Sequence, residues 1–239
     1  ENGNKELVLS PERKEEVVID RQIVIKIDDK SEQDVSREIV SAYINNFRTI
    51  KIQGKELEDK AEKIIGIIHS LIALEIIDQT TESIVTRDFL NMKNISLDQL
   101  IKRMDILTRS MISDSKNCIR SDLCNSLIRR DKDVNRLAIL ILRSIKYRLG
   151  LSGDEYNNLF LCHTVYEQLE KIADDAKRIS KYLVKKGFKK DEIAKIDEIY
   201  NLIEKAFIDT LKAYYLKDPL LAQKTSKILK ENVLKKCAS

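Results

Sequence analysis

The stretch VYEQLEKIADDAKRISKYL, Val165 to Leu183, sets apolar residues at Val165, Leu169, Ile172, Ala176, Ile179 and Leu183. The spacing 4-3-4-3-4 is that of a helix packed along one stripe against neighbouring helices, so it predicts one member of a helical bundle. Off that stripe, Glu170 and Asp174 lie four residues apart and stack on a single helical face. Two like charges at this separation repel by roughly 0.2–0.5 kcal/mol. The pair is therefore either tolerated solvated surface or half of a site for a cation.

Working outward, the same period governs everything after residue 93. Ser96 is placed to cap a helix carrying Leu97, Leu100, Ile101, Met104, Leu107, Met111 and Ile119. A second helix is predicted from about Asp122 to Leu149, lined by Leu123, Leu127, Val134, Leu137 and Ile141 and ended by GLSGD. The third runs from about Glu155 to Lys186 and stops at Gly187. Short turns join the three, so 93–188 reads as an antiparallel three-helix bundle. A fourth helix is expected over Lys190–Leu216, broken by KDP at Lys217–Pro219. A fifth begins at Pro219, whose fixed φ suits a first turn. Residues 189–239 thus read as the start of a second, incomplete bundle.

Residues 15–92 follow a different period. QIVIKID (Gln22–Asp28) and FRTIKIQG (Phe47–Gly54) are short and β-branched, as strands are. Between them Ser31 can cap a helix with Val35, Ile39, Val40 and Tyr43 on one face, and Asp34 stands at the capping-box position. A second helix with Leu57, Ala61, Ile64, Ile65 and Ile68 follows, and LEIIDQTTESIVTRDFL then reads as a hairpin turning near Thr80–Thr81. The fold class expected is mainly α: a small N-terminal α/β domain of order β-α-β-α-β-β, then the bundle. Residues 1–14 read as a linker or the remnant of a preceding segment.

Composition agrees. Charged residues make up 34%, and there are six glycines and two prolines, a mix suited to long amphipathic helices. The 43 basic and 39 acidic residues are interleaved, which is not the one-sided basic footprint of a dedicated nucleic-acid binder. Cys118, Cys124, Cys162 and Cys237 form no C-x-x-C pair and suit reduced thiols in a cytoplasmic protein. No apolar run reaches the ~18 residues of a bilayer span, and no signal peptide is visible.

Enzyme signatures are missing. The sequence holds no G-x-x-x-x-G-K-[ST] loop, no G-x-G-x-x-G and no H-E-x-x-H. A di-iron bundle needs Glu three residues before its histidines, and Gly66 and Phe160 stand there before His69 and His163. What remains are two polar pairs, Glu170 with Asp174 and, on the preceding helix, Asp131 with Asn135. About 19 residues separate Asp131 from the intervening turn and about 16 to 20 separate that turn from Glu170 and Asp174, so antiparallel packing brings the pairs level. Converging oxygens of this kind suit hard or borderline cations such as magnesium, manganese or iron. Alternatively, Lys171, Lys177 and Arg178 flank the second pair and can neutralise it.

EQLEKIADDAKRI resembles the signature of the PhoU-type phosphate-uptake regulators, L-E-R-I-(A/G)-D-x-A-x-x-I, with Leu169, Glu170, Ile172, Ala173, Asp174, Ala176 and Ile179 in the matching places. IRRDKDVNRL resembles the same family's R-D-x-x-V-D-R-L helix. The family's E(D)-x-x-x-D metal motif falls on Asp131–Asn135 and Glu170–Asp174, with Asn135 departing from the usual carboxylate. The upstream order resembles archaeal members that join an AbrB-like DNA-binding head, a small α/β domain and PhoU bundles, and NGNKELVLSPE resembles the last strand of such a head.

The resemblance implies a regulator and not an enzyme: a metal-binding helical scaffold, carrying iron, zinc, manganese or magnesium, that docks on a phosphate transporter or its signalling components. It leaves homo-oligomerisation open. The alternative is the sensing and dimerising part of a transcription regulator that reaches DNA through its missing head. A carboxylate-bridged oxidase is the third and poorest reading, for want of histidine ligands.

Overall fold

The computed structural model describes residues 21–118, 124–149 and 156–233. Segment 1–14, which the sequence reading sets apart, and Leu123, Ile119, the GLSGD turn and Cys237 lie outside these residues. The element order is the expected one: β1 (Gln22–Lys26), α1 (Glu32–Ile44), β2 (Thr49–Gln53), α2 (Leu57–Ser70), β3 (Leu74–Gln79) and β4 (Ser83–Asp88). Then follow α3 (Leu97–Asn117), α4 (Cys124–Leu149), α5 (Tyr156–Lys186), α6 (Lys190–Leu216) and α7 (Pro219–Ile228). The protein is mainly helical, with a four-stranded sheet at its N-terminal end.

Local chemistry sets the boundaries. The Ser31 and Ser96 hydroxyls accept from the backbone N–H groups of Asp34 and Gln99, satisfying donors that the first helical turn leaves free. Asp218 does the same for Leu220 and Leu221 ahead of Pro219. Gly187, at φ 67°, occupies the left-handed region that lets the chain leave α5. In the hairpin, Thr80 Oγ1 accepts from Ser83 N at 3.0 Å and closes the turn between β3 and β4.

The sheet order is β1-β2-β4-β3, with β1 parallel to β2 and the other pairs antiparallel. Alternation aims Ile25, Ile50, Ile52 and Ile84 at one face, where Val35, Ile39 and Tyr43 of α1 and Leu57, Ile64 and Ile68 of α2 meet them. Burying this aliphatic layer stabilises the domain by about 1.5–3 kcal/mol for each large side chain removed from water.

Helices α3, α4 and α5 enclose the second core, with Ile101, Met104, Met111, Leu127, Val134, Leu137, Ile141 and Leu169 inside. One sequence expectation shifts here. The buried stripe of α5 is Leu159, Cys162, Tyr166, Leu169, Ala173, Ala176, Ser180 and Leu183. Val165 and Ile172 are only half-buried, and Ile179 is 43% exposed. The reason is steric: small side chains at Ala173, Ala176 and Ser180 let neighbouring helices approach, and the larger Ile179 is turned outward. The closeness is visible where Thr108 of α3 donates to the backbone carbonyl of Leu169 at 3.4 Å.

Beyond Gly187, α6 joins the same core through Tyr200, Phe207 and Leu211. Ser115 of α3 donates to the Tyr200 hydroxyl at 2.9 Å, and Tyr215 donates to buried Asp105 at 3.2 Å. α7 turns back along α6 and ends in a π-helical turn, Leu229–Val233. Region 189–239, read as the start of a second bundle, thus shares the core of the first through α6. No third helix of a second bundle lies among the described residues.

The two cores are joined by one buried ion pair. Arg143 of α4, 1% exposed, donates to both oxygens of Asp88 at the end of β4, at 3.2 and 2.6 Å. It also donates to Asn46 Oδ1 at 2.9 Å, and its guanidinium lies 4.2 Å from the centre of the Tyr43 ring. Ile139 of α4 packs into the α/β core beside it. No described helix is long and apolar enough to cross a membrane.

Candidate functional site

Asp131 lies on the buried side of α4, one turn before Val134. Glu170 and Asp174 lie on α5 next to the stripe, each half-buried. The antiparallel crossing of the two helices brings Asp131 to Asp174, and Lys177 joins them. Its ammonium donates to Asp131 Oδ1 at 2.7 Å and to Asp174 Oδ1 at 2.8 Å. The flanking lysine therefore does more than balance charge along its own helix: it ties α5 to α4.

The charges respond accordingly. The Lys177 hydrogen bond, with its positive charge, holds the Asp174 carboxyl below the ordinary aspartate range. Burial works against the Lys177 ammonium, but the hydrogen bonds and charges of Asp131 and Asp174 outweigh it and keep the group above the usual lysine range. Glu170 goes the other way. Burial pushes its carboxyl up, and the neighbouring charges of Asp174 and Asp131 push it further. It makes no side-chain hydrogen bond or ion pair among the described residues. Farther along, Arg178 pairs with Asp175 on the exposed side of α5.

Asn135 does not join this group. It is exposed and lines a separate open cleft of about 1040 Å³ between α2 and α4. No hydrogen bond links it to the three carboxylates among the described residues. Nor does any group of three or more His, Cys, Asp or Glu side chains close into a metal-binding arrangement there. What the α4–α5 group does hold is one positive charge: the oxygens of Asp131 and Asp174 converge on the Lys177 ammonium.

The histidines have other roles. His69 is exposed on the wall of the cleft. His163 packs edge-on against Tyr166, ring centres 5.1 Å apart, and lies 3.8 Å from Glu167. Cys118 and Cys162 are buried free thiols and Cys124 is a half-buried one. Burial raises the Cys118 thiol to about 12, which leaves it unreactive.

Sequence reasoning placed the α4–α5 carboxylates but overlooked the cross-helix reach of Lys177, the cleft and Arg143. A lysine three residues after Asp174 was legible as a local neutraliser. Its second partner lies 46 residues away and carries no local signal. Compared with known proteins, the chain matches no family model, no curated protein and no solved structure.

Proposed function

We propose that this chain is a phosphate-signalling regulator of the PhoU type. On this reading the α3–α5 bundle is a rigid scaffold that docks on a transporter or its regulatory partners, and the α4–α5 groove takes a divalent or transition metal ion. The observation that carries the reading is the convergence of Asp131 and Asp174 on a single cation, with Glu170 held next to them at a raised pKa. A metal there supplies a fixed positive charge on an otherwise acidic groove. Asp131, Glu170 and Asp174 would be the residues that hold the metal, and its charge would offset the mutual repulsion that raises Glu170. Such a surface suits an acidic or phosphate-bearing partner face.

The test has two arms. Purified protein is incubated with iron(II), zinc, manganese or magnesium, desalted, and analysed for bound metal. One of the ions is retained by the wild type and lost from the Glu170→Ala/Asp174→Ala variant, whose circular dichroism is unchanged. A wild type that stays metal-free removes the metal from the reading. In the source cell, deletion of the gene raises uptake of radiolabelled phosphate under phosphate-replete conditions; unchanged uptake removes the regulator.

A further inference from the structure

The cleft between α2 and α4 has an organisation that the metal groove does not explain. Arg129, Lys132 and Arg136 recur at i, i+3 and i+7 on α4; Arg136 pairs with Asp133 of the same helix at 3.9 Å, and Arg129 and Lys132 are left as the two cations of α4 that face the cleft without an ion pair among the described residues. Both are exposed. Across the gap, Glu32 at the start of α1 and Asp59 and Glu62 on α2 supply acceptor oxygens, with Lys63 of α2 beside them. Half-buried Ile67 and Ile139 contribute apolar lining between the charged groups.

Gly66 adds an independent observation. It sits inside α2, where glycine costs about 1 kcal/mol relative to alanine. Its φ is not in the left-handed region, and a Cβ built there meets nothing within 4 Å. Neither backbone conformation nor packing within the protein calls for a glycine. Its effect is to leave room in the wall of the cleft, beside Ile67.

A ligand that satisfies all four features carries anionic charge at one end, hydroxyl or amino donors at the other, and a flat apolar surface between or beside them. We propose that the cleft binds a nucleotide. Its phosphates lie along Arg129 and Lys132, its sugar hydroxyls and exocyclic amine donate to Glu32, Asp59 and Glu62, and its base lies over Ile67 and Ile139 in the space left by Gly66. The volume is at the upper end of that typical for small-molecule sites, large enough for a nucleoside diphosphate. None of Asp131, Glu170 and Asp174 lines the cleft, so the proposal stands apart from the metal reading.

The experiment is isothermal titration calorimetry of the full chain with ADP, adenosine and inorganic phosphate. EDTA is present throughout, so that metal binding at the α4–α5 groove does not contribute. ADP binds at least ~10-fold more tightly than either fragment, because only ADP engages both walls. Arg129→Ala/Lys132→Ala, both exposed positions, weakens ADP by about 10- to 100-fold through lost charge-assisted contacts and leaves adenosine unchanged. Gly66→Leu fills the gap and removes binding of ADP and adenosine while the thermal midpoint stays level or rises. The proposal is overturned by absence of ADP binding to the wild type. Equal affinity for ADP and phosphate also overturns it, since that describes a bare cationic patch. So does undiminished ADP binding to Gly66→Leu.

Discussion

Asp88→Ala tests the junction between the two cores most directly. In the native protein the Arg143 guanidinium is 1% exposed and its charge is met by two hydrogen bonds to Asp88, at 3.2 and 2.6 Å. Asn46 and the Tyr43 ring face it from α1 and the loop that follows. Burial works against this guanidinium, and Asp88 more than offsets it, holding the group above its ordinary range. Removing Asp88 leaves a charged group in a site closed to water, with one neutral hydrogen bond and one ring contact. A buried pair broken in this way costs about 3–5 kcal/mol. The Asp88 carboxylate also accepts from Leu90 N at 3.1 Å, which adds about 1 kcal/mol when lost. Against a total stability of about 5–15 kcal/mol, that is a large fraction.

The assay is urea unfolding at neutral pH followed by far-UV circular dichroism. Wild type unfolds in one transition because the pair couples the sheet domain to α4. Asp88→Ala shifts the midpoint strongly downward and separates the α/β domain from the bundle as an earlier step. The double change Asp88→Leu/Arg143→Met, which removes both charges while keeping bulk, recovers most of the loss, since the cost lies in the orphaned charge. An Asp88→Ala change of less than about 0.5 kcal/mol, the range of ordinary surface substitutions, would refute the reasoning. So would a double variant as unstable as the single one.

Three further outcomes follow from the α4–α5 groove and the end of α5. Glu170→Gln removes one member of a like-charged cluster and raises stability at neutral pH by roughly 0.2–0.5 kcal/mol. Because the native pKa of Glu170 is raised, its ionised form is the destabilising one; the gain disappears as pH falls through that pKa, and chemical denaturation at neutral and acid pH reads the difference. Asp174 has a depressed native pKa, so its contribution is present above the unfolded aspartate pKa and lost as pH falls through the native value. Lys177→Met flattens that acid limb, discounted because the Asp174 side chain is 43% exposed. Gly187→Ala, forced to keep φ 67°, lowers stability by about 1 kcal/mol in thermal melts, and an unchanged midpoint argues that the chain leaves α5 by another route.

The fold was legible where its causes are local. Alternating β-branched residues, the 3.6-residue period, the caps at Ser31 and Ser96, and the helix punctuation at Gly187 and Pro219 act within a few residues of themselves, so one sequence suffices to place seven helices and four strands in order. The rotation of α5 was not legible, because hydrophobicity favours Val165 and Ile179 whereas close approach of three helices favours Ala173 and Ser180. The position of β4 between β2 and β3 likewise depends on pairings between distant segments.

The site divides along the same line. Spacing along α4 and α5 was enough to bring Asp131 level with the α5 carboxylates, because helix rise and a short connection fix it. Three things came only from the tertiary structure. Lys177 reaches Asp131 across the groove, Asn135 turns toward the α2–α4 cleft, and Arg143 closes on Asp88, 55 residues away in the chain. Each depends on where a side chain ends after two elements have packed, and the energy of a buried charge depends on that surrounding and not on its neighbours in sequence.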